Sequence, residues 1–464
     1  MFRRRSTRAA WLALVVAQAW AQVIPCDYDR SEDVAPGIRY RERCFARQGD
    51  GPFSMQILEV DPSNPRVNLL PVRARDRLIG RETLSSMARR YGATAAVNGG
   101  YFVVSGAYAG SSTGVYQFNR RVLSGGANRT ALLFCEETDF KERLEMDVVN
   151  FRGSARAAGG ATFKISGMNR QRTGEDLEVF LPQLGPSTLT AGPGVEVALD
   201  GAWRVTAIED GVGNARIPRD RLVLSGTGGG AAWLRQHAAL GALLRVDVEL
   251  NPARPASETG CRAEDIVGGG PRLVRRGRVA VSAEKFAHTP NRNPRTAVAV
   301  TRRGTFLFVT LDGRQARSLG MRLDELAREL VALGALEAMN LDGGGSSTMV
   351  VNGRVRNSPS DGRERPVSDA ILIFSIRNRQ QLSGLVDRLA EDPSHISPAI
   401  REKLKASESL ADLRRLVDAA EGRGLSVAAA RLLREAVFAI AGAGAGGSQP
   451  SGSLDSSTPS GRGP

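Results

Sequence analysis

Histidine, cysteine, lysine and aromatic residues are all scarce in this 464-residue chain. Three histidines and four cysteines with no CxxC pair are too few, and too widely spaced, for an ordinary zinc site. No segment after the N-terminus has 18 uninterrupted apolar residues, so the sequence predicts no membrane-spanning helix. Of 63 basic residues only five are lysines, and no dense basic run follows "FRRRSTR". This distribution argues against a nucleic-acid-binding tail.

The remaining composition is that of a globular protein, with 42% hydrophobic and 24% charged residues. Its length predicts a large core and more than one folded unit. The formal net charge of +14 comes almost entirely from arginine. A planar guanidinium binds two oxygens at once, which suits recognition of phosphate or carboxylate. An arginine-rich genome explains the same excess, and the sequence leaves both readings open.

The N-terminus has the pattern of a secretory signal peptide. Arg3–Arg8 form a positive segment, "AAWLALVVAQAW" is an apolar segment, and Ala19-Trp20-Ala21 offers small residues at a cleavage site after Ala21. No cysteine follows that site directly, so we expect no lipid anchor. The sequence therefore predicts a protein exported to the periplasm or the extracellular space.

Four cysteines in an exported chain predict two disulfides, for which three pairings exist. We favour Cys26–Cys44, which closes a local loop, and Cys135–Cys261, which joins distant segments.

Residues 38–376 alternate short apolar runs with glycines, a pattern typical of strands. Arg276-Gly277, Arg303-Gly304 and Asn352-Gly353 are hairpin signals between or after such runs. "RETLSSMARRYG" and "MRLDELARELVALGA" have helical apolar spacing. The sequence thus predicts an α+β protein with mostly antiparallel sheets.

The character of the chain changes after Ile376. Residues 380–442 have strong helical periodicity and predict a small all-α bundle. Residues 443–464 are rich in glycine, serine and proline, and we expect them to be disordered. The predicted organisation is a signal peptide (1–21), a main domain (22–376), the bundle and the tail.

The segment "NLDGGGSSTMVV" places a carboxylate and three glycines between two apolar runs. Asp342 ends one predicted strand, and backbone N–H groups in a glycine turn can bind an anion. Ser346 and Ser347 follow in the same turn. The alternative is a plain glycine-rich hairpin in which Asp342 bonds its own turn amides.

Two further segments place charged residues at strand ends. Asp312 and Arg314 follow the strand "FLFV", and Arg295 and Thr296 begin the strand that pairs with it. Antiparallel pairing brings Arg295 close to Asp312, either for function or as a structural ion pair. Asn98 and its neighbours form another strand that runs into a glycine turn.

Taken in order, these segments resemble the phosphodiester glycosidase family over residues 92–374. The resemblance rests on "NGGYF", "DIVGGGPRLVRRGR", "RNPRTAVAVT", "LDGR", the helix beginning "MRLDEL", and "NLDGGGSSTMVVNGRV…PSDGRERPVSDA". Ala299 stands where the family usually has glycine, and the helical segment lies outside the resemblance. The family resemblance implies cleavage of a sugar linked through its anomeric carbon to a phosphodiester. We expect no cofactor and no metal.

That chemistry needs a carboxylate beside the developing oxocarbenium ion and cationic donors on the phosphate. The predicted catalytic residues are Asp312, Asp342 and Arg295. The predicted substrate-binding residues are Asn98, Gly99, Gly100, Tyr101, Asn169, Thr296, Gly313, Arg314, Asn340, Gly343, Gly344, Gly345, Ser346 and Ser347. Asn98 and Asn169 are otherwise simple turn residues.

Asn357, Asp361 and Arg365 lie in a polar loop that either covers the site or is merely solvated. His288 is close in sequence to Arg295 and is either a proton donor to phosphate or incidental.

The leading hypothesis is hydrolysis of a sugar-1-phosphodiester, N-acetylglucosamine-type sugars included, in a wall, capsular or exopolysaccharide glycan. The alternatives are a non-catalytic binder of anionic cell-wall polymers and a metal-assisted phosphodiesterase that cuts the O–P bond. The only predicted partner is a phosphodiester-linked carbohydrate, with no nucleic acid and no membrane span, and the oligomeric state stays open.

Overall fold

The computed structural model describes residues 26–47, 50–126, 128–135, 142–281, 290–376, 379–391, 393–407 and 409–445. The predicted signal peptide, His288 and most of the predicted tail lie outside these residues.

The described chain contains strands β1 (Tyr28–Ala35), β2 (Ile38–Arg47), β3 (Asp50–Val60), β4 (Val67–Arg73), β5 (Ala95–Asn98), β6 (Tyr116–Phe118), β7 (Arg121–Ser124), β8 (Arg129–Cys135), β9 (Arg143–Ala157), β10 (Thr162–Lys164), β11 (Gly167–Met168), β12 (Leu177–Phe180), β13 (Gly194–Leu199), β14 (Val205–Val212), β15 (Leu222–Gly226), β16 (Leu244–Pro252), β17 (Ala263–Gly268), β18 (Arg272–Arg275), β19 (Arg278–Val279), β20 (Arg295–Thr301), β21 (Phe306–Leu311), β22 (Ala335–Asn340), β23 (Met349–Val351), β24 (Arg354–Val355) and β25 (Asp369–Ser375). The helices are α1 (Leu84–Tyr91), α2 (Gly228–His237), α3 (Ala256–Thr259), α4 (Leu323–Ala332), α5 (Arg379–Leu389), α6 (Pro398–Ala406), α7 (Leu410–Ala420) and α8 (Val427–Ala445).

The strands form four sheets. Sheet 1 has the order β1-β2-β3-β21-β20-β22-β18-β19, and sheet 2 has the order β10-β9-β8-β17-β6-β7 with β16 beside β9. Sheet 3 has the order β11-β12-β15-β13-β14, and sheet 4 has the order β24-β23-β5-β25-β4. Nearly all neighbours are antiparallel, as in the β20–β21 hairpin, and β11 with β12 is parallel. The predicted α+β class with mostly antiparallel sheets is confirmed.

The central strands of sheet 1 are buried on both faces, which explains why they are mostly apolar. Leu58 and Phe308 belong to the core shared with the other sheets, whereas their neighbours Ile57 and Val309 face the core beneath α4. Successive side chains of a strand point to opposite faces, so each strand contributes to both cores. This two-sided packing fixes the strand ends that carry the candidate site.

The C-terminal helices pack on sheet 4. Leu389 of α5 and Leu433 of α8 are fully buried in one core with Leu372 of β25 and with residues of α1. Arg431 of α8 forms an ion pair with the buried Asp265 of β17. The helical segment therefore shares its core with the sheet instead of enclosing one of its own, and α8 includes residues 443–445 of the predicted tail.

Both predicted disulfides are present, with Cα–Cα distances of 4.9 Å for Cys26–Cys44 and 5.1 Å for Cys135–Cys261. Within the described ranges, no helix has the length and apolar character needed to cross a membrane.

Candidate active site

The candidate site lies at one end of sheet 1, where β20 runs between β21 and β22. Arg295 at the start of β20 is paired with Leu311, and the Leu341 N–H donates to the Thr296 carbonyl at 2.8 Å. Asp312 follows Leu311 directly, and Asp342 follows Leu341. The antiparallel register therefore brings Asp312, Asp342 and Arg295 to the same edge of the sheet.

Asp312 is buried, with 3% of its surface exposed. Its Oδ1 accepts the Ser358 N–H at 2.8 Å and Asn357 Nδ2 at 3.2 Å. Burial raises the pKa of Asp312 to about 6, and the bonds from Ser358 and Asn357 oppose that rise. The carboxyl group is thus ready to exchange a proton near neutral pH.

Asp342 is partly buried at the start of the glycine turn. Its Oδ1 accepts the N–H of Gly343 at 2.9 Å, and its backbone carbonyl accepts Asn98 Nδ2 at 2.7 Å. Burial raises the pKa of Asp342 to about 7, and the nearby carboxylate of Asp369 adds to the rise. Asp342 thus binds its own turn amide, as the hairpin alternative predicts, and still carries a perturbed carboxyl group.

The glycine turn, residues 343–345, is packed too closely for side chains. A Cβ on Gly343 would lie 2.9 Å from the Pro294 carbonyl oxygen, and one on Gly345 would overlap the guanidinium of Arg365. The Gly344 N–H donates to Pro294 at 2.9 Å, so this amide is not free for an anion. In this structure the glycines serve close approach more than they form an open N–H nest.

Two guanidinium groups lie against this turn. Arg314 has an Nη2 3.3 Å from the position of a Gly344 Cβ, and its Nε and Nη2 both donate to Asn293 Oδ1 at 3.1 and 2.8 Å. Arg365 lies over Gly345 and pairs with Asp361 at 2.8 Å, with both side chains 34% exposed. Both groups are therefore cationic and accessible beside the turn.

Arg295 is much less accessible, with 2% of its surface exposed. Its Nε donates to the Met321 carbonyl at 2.9 Å and its Nη2 to the Asn291 carbonyl at 2.7 Å. Burial lowers the pKa of Arg295 to about 10, and repulsion from Arg314 acts in the same direction. Part of its guanidinium is thus committed to holding loops around the site.

Asn98 joins β5 of sheet 4 to the site. Besides its bond to Asp342, its Oδ1 accepts the Thr296 hydroxyl at 2.7 Å and the Thr348 N–H at 3.1 Å. The Asn98 side chain is fully buried. Its amide and the Thr296 hydroxyl are therefore used to lock the strands together.

Several polar atoms around the turn are buried without a hydrogen-bond partner among the described residues. They are the hydroxyls of Ser347 and Thr348 and the Oδ1 of Asn340, whereas the Ser346 hydroxyl interacts with the Asp342 carboxylate. The other end of the Asn340 amide donates to the Tyr101 hydroxyl at 2.8 Å, which in turn donates to the Gly270 carbonyl at 2.8 Å. Unsatisfied buried polar groups are uncommon and concentrate here in one nine-residue segment.

Sequence reasoning missed one carboxylate, Asp369 at the start of β25. It is 2% exposed, pairs with Arg73 at 3.0 Å and accepts the Gly100 N–H at 2.6 Å. A Cβ on Gly99 would overlap its Oδ1. Burial raises the pKa of Asp369 and the adjacent Arg73 opposes that rise. This ion pair holds the Gly99–Gly100 turn, and its only sequence signal was its place in the "PVSDA" segment.

The predicted lid residues differ among themselves. Asn357 is built into the site, because it donates to Asp312 and to the Ser347 carbonyl at 2.9 Å and accepts the Met349 N–H at 2.9 Å. Asp361 and Arg365 form the ion pair on the surface of the turn. Asn357 therefore contacts the candidate catalytic residue Asp312 directly, whereas the Asp361–Arg365 ion pair lies over the glycine turn.

Of two further predicted substrate-binding residues, one lies within the candidate site and one lies outside it. Gly313 lies where a Cβ would be 2.6 Å from the Pro294 nitrogen, within the site. Asn169 instead bonds Leu123 and Leu181, each at 2.8 Å, with a φ of 53°, so it is a turn residue beside sheet 3. Among the described residues, no three His, Cys, Asp or Glu side chains are arranged to hold a metal ion.

The family comparison agrees with this arrangement. Residues 194–374 match the model of the family described as phosphodiester glycosidase. This segment includes Arg295, Asp312, Asp342 and Asp369. The resemblance predicted from the sequence is therefore confirmed over residues 194–374.

Individual relatives match over short stretches. The SPbeta prophage-derived protein YomE of Bacillus subtilis is 39% identical over 82 residues, which are 18% of this chain and 13% of YomE. N-acetylglucosamine-1-phosphodiester alpha-N-acetylglucosaminidase of Bos taurus is 43% identical over 67 residues, which are 14% of this chain and 12% of that protein. The matches thus span a small part of either relative.

Two crystal structures share the fold over most of the chain. A protein from Synechocystis has a TM-score of 0.64 and 23% identity, covering 76% of this chain and 64% of its own. A protein of Burkholderia pseudomallei K96243, described as exported, has a TM-score of 0.61 and 27% identity, covering 70% of this chain and 74% of its own.

Proposed function

We propose that this protein is an exported hydrolase that cleaves the anomeric C–O bond of a sugar-1-phosphodiester in a wall, capsular or extracellular glycan. The observation that carries this proposal is the placement of Asp312, Asp342 and two accessible arginines around one glycine turn. The match of residues 194–374 to the phosphodiester glycosidase family supports the reaction class. The two disulfides and the exported Burkholderia relative support an extracytoplasmic location.

The two aspartates differ in their readiness to ionise. With a pKa of about 6, Asp312 is mostly negative at pH 7, whereas Asp342, with a pKa of about 7, is half protonated. We assign the negative charge beside the anomeric carbon to Asp312 and the proton-carrying role to Asp342. Pairs of titratable groups with separated pKa values are the usual basis of acid and base roles.

The reaction adds water across the glycosyl bond. The anomeric C–O bond breaks with its electron pair leaving on the phosphate oxygen, and water oxygen bonds to the anomeric carbon. The water proton passes to a carboxylate. Because a phosphomonoester is a stable leaving anion, positive charge near the phosphate contributes as much as proton donation.

Arg314 and Arg365 are the cations best placed to meet the phosphate. Both lie against the glycine turn, and Arg365 exchanges its contact with Asp361 for the phosphate when substrate binds. We assign Arg295 a positioning role, because its guanidinium is mostly held by the backbone carbonyls of the neighbouring loops. Asn98, Thr296 and Asn340 position the turn.

Product analysis on defined sugar-1-phosphodiesters tests the proposal. Purified protein should release a free sugar and a phosphomonoester from alkyl N-acetylglucosamine-1-phosphate, and should leave an alkyl glycoside without phosphate intact. In ¹⁸O water the label should appear on the sugar. Label on the phosphate together with loss of activity in chelator would instead support the metal-assisted O–P cleavage.

Matched variants connect the activity to the site. Asp312→Asn and Asp342→Asn should each lower turnover by about 10²–10³. The control Asp324→Asn changes a carboxylate of α4 that pairs with Arg328, and it should keep full activity. Full activity in both site variants would refute the assignment.

A further inference from the structure

A second cleft, with a volume of about 270 Å³, lies at the turn of the β13–β14 hairpin and includes residues 181–183 and 219–222. We call it the Trp203 cleft, because Trp203 lines it together with Arg121, Arg219 and Arg221. None of the residues assigned to the candidate active site lines it. It is therefore a separate feature of the surface.

Trp203 has an unusual backbone conformation. It lies in the β13–β14 turn with a φ of 64°, a left-handed value that favours glycine and asparagine. Asp200 fixes this turn, since its Oδ1 accepts the N–H groups of Ala202 and Arg204, each at 2.9 Å. One part of the indole packs against the core of sheet 3, and the half-buried side chain also lines the cleft, where its remaining surface is available to a ligand.

The cleft carries uncompensated positive charge. Among the described residues, the guanidinium groups of Arg121 and Arg219 have no hydrogen bond or ion pair. Arg221 approaches only Asp220, at 3.8 Å, and that carboxylate is 81% exposed to solvent. The other carboxylate that lines the cleft, Asp200, accepts backbone N–H groups of its own turn. Three guanidinium groups and two carboxylates therefore line the same cleft as one aromatic side chain, which leaves a net positive charge.

This combination suits one class of ligand. An indole presents a flat apolar surface to the C–H face of a sugar ring, and guanidinium groups bind carboxylate or phosphate oxygens in pairs. Pockets for drug-sized ligands begin at about 300 Å³, so this cleft has room for about one sugar unit. We propose that the Trp203 cleft is a glycan-binding site for a sugar residue bearing a carboxylate or a phosphate.

Tryptophan fluorescence provides a direct test, independent of catalysis. Trp233 is 8% exposed, and Trp11 and Trp20 lie in the predicted signal peptide, so a ligand-induced change reports mainly on Trp203. Trigalacturonate and glucose 6-phosphate serve as uronate and phosphate probes, and maltotriose serves as the neutral control. We expect saturable quenching or enhancement by an anionic probe and none by maltotriose, and the responding probe identifies the anionic group.

Charge-removing variants test the role of the arginines. The double variant Arg121→Gln/Arg219→Gln keeps the reporter and should weaken binding by at least about tenfold. Arg216→Gln removes an exposed arginine of the preceding segment that does not line the cleft, and should bind normally. Neither arginine belongs to the candidate active site, so hydrolysis by the double variant should be unchanged. Because binding is measured without turnover, a negative glycosidase assay does not affect the binding test.

Trp203→Gly tests the aromatic side chain, because glycine accepts the left-handed conformation freely, and a urea unfolding curve shows how much the lost packing against the core of sheet 3 costs. Equilibrium dialysis with the responding probe should show at least about tenfold weaker binding. The proposal is overturned by silence of wild-type fluorescence towards both anionic probes, by an equal response to maltotriose, or by unaltered affinity in the double variant.

Discussion

The sharpest prediction concerns Asp342, whose replacement should raise stability while it removes activity. Its pKa is about 7 in the folded protein against an ordinary value of 3.8. A raised carboxyl pKa means that the folded state binds a proton more tightly than the unfolded state does. Stability linked to this group is therefore lost as the pH rises from about 4 to about 7.

The size of this effect follows from the pKa difference. At 1.36 kcal/mol for each pH unit, the difference between 3.8 and about 7 amounts to about 4 kcal/mol at pH 8. Partial exposure of the side chain allows solvent screening, so we expect about 2–3 kcal/mol. Asp342→Asn keeps an oxygen to accept the Gly343 N–H but has no charge. It should gain this amount at pH 8 and about 1 kcal/mol or less at pH 5.

Urea unfolding of wild type and Asp342→Asn at pH 5 and pH 8 measures the gain, and Asp324→Asn is the control. Asp324 has a pKa lowered by Arg328 and Arg322 despite some burial, so removing its charge should give no gain at pH 8. The reasoning fails if the Asp342 variant is no more stable than wild type at pH 8, or if its advantage does not grow between the two pH values.

Three further predictions address other parts of the structure. The value of kcat/KM should rise with pH through about 6 as Asp312 ionises, a limb measured from initial rates between pH 4.5 and 8. Gly99→Ala should cost about 2–3 kcal/mol in urea unfolding, because its Cβ would overlap the buried carboxylate of Asp369. Arg431→Met should cost about 3–5 kcal/mol by leaving Asp265 buried without its cation, and limited proteolysis should cut the C-terminal helices faster.

A control variant or a contrary result is defined for each of these three predictions. Gly345→Ala meets the movable ends of the Arg365 and Asp361 side chains, so it should cost less stability than Gly99→Ala, and equal costs would contradict the close-packing argument. Arg434→Met removes a partly exposed charge from the same helix as Arg431, and its partner Asp418 is 50% exposed and stays hydrated, so proteolysis should be nearly unchanged. A pH profile that is flat from 5 to 7 would remove Asp312 as an ionising group.

The sequence was sufficient to predict the local part of the site. The Arg303-Gly304 turn fixes the pairing of β20 with β21, and alternation along the strands fixes which end carries Arg295 and Asp312. The apolar run before Asp342 indicates a buried strand that ends at the same edge. These features depend on neighbours in sequence or on one hairpin, so pattern reasoning reaches them.

The long-range part could not be predicted. Asp369 supports Gly100 from 269 residues away, and no local pattern distinguishes this aspartate from a turn residue. The periodicity of residues 380–442 shows that each helix has an apolar face but does not show that sheet 4 covers it. Turn glycines likewise do not reveal that the Gly344 N–H is already bonded to Pro294.

The order of strands in the sheets bears on when the chain can fold. β3 pairs with β2 and then with β21, whereas β4 and β5 both pair with β25, so several early strands lack one or both neighbours until the last third of the polypeptide is available. Such non-local pairing makes folding slow. For the exported protein proposed above, late completion of the sheets would keep the chain open long enough to pass through a narrow secretion channel before it folds.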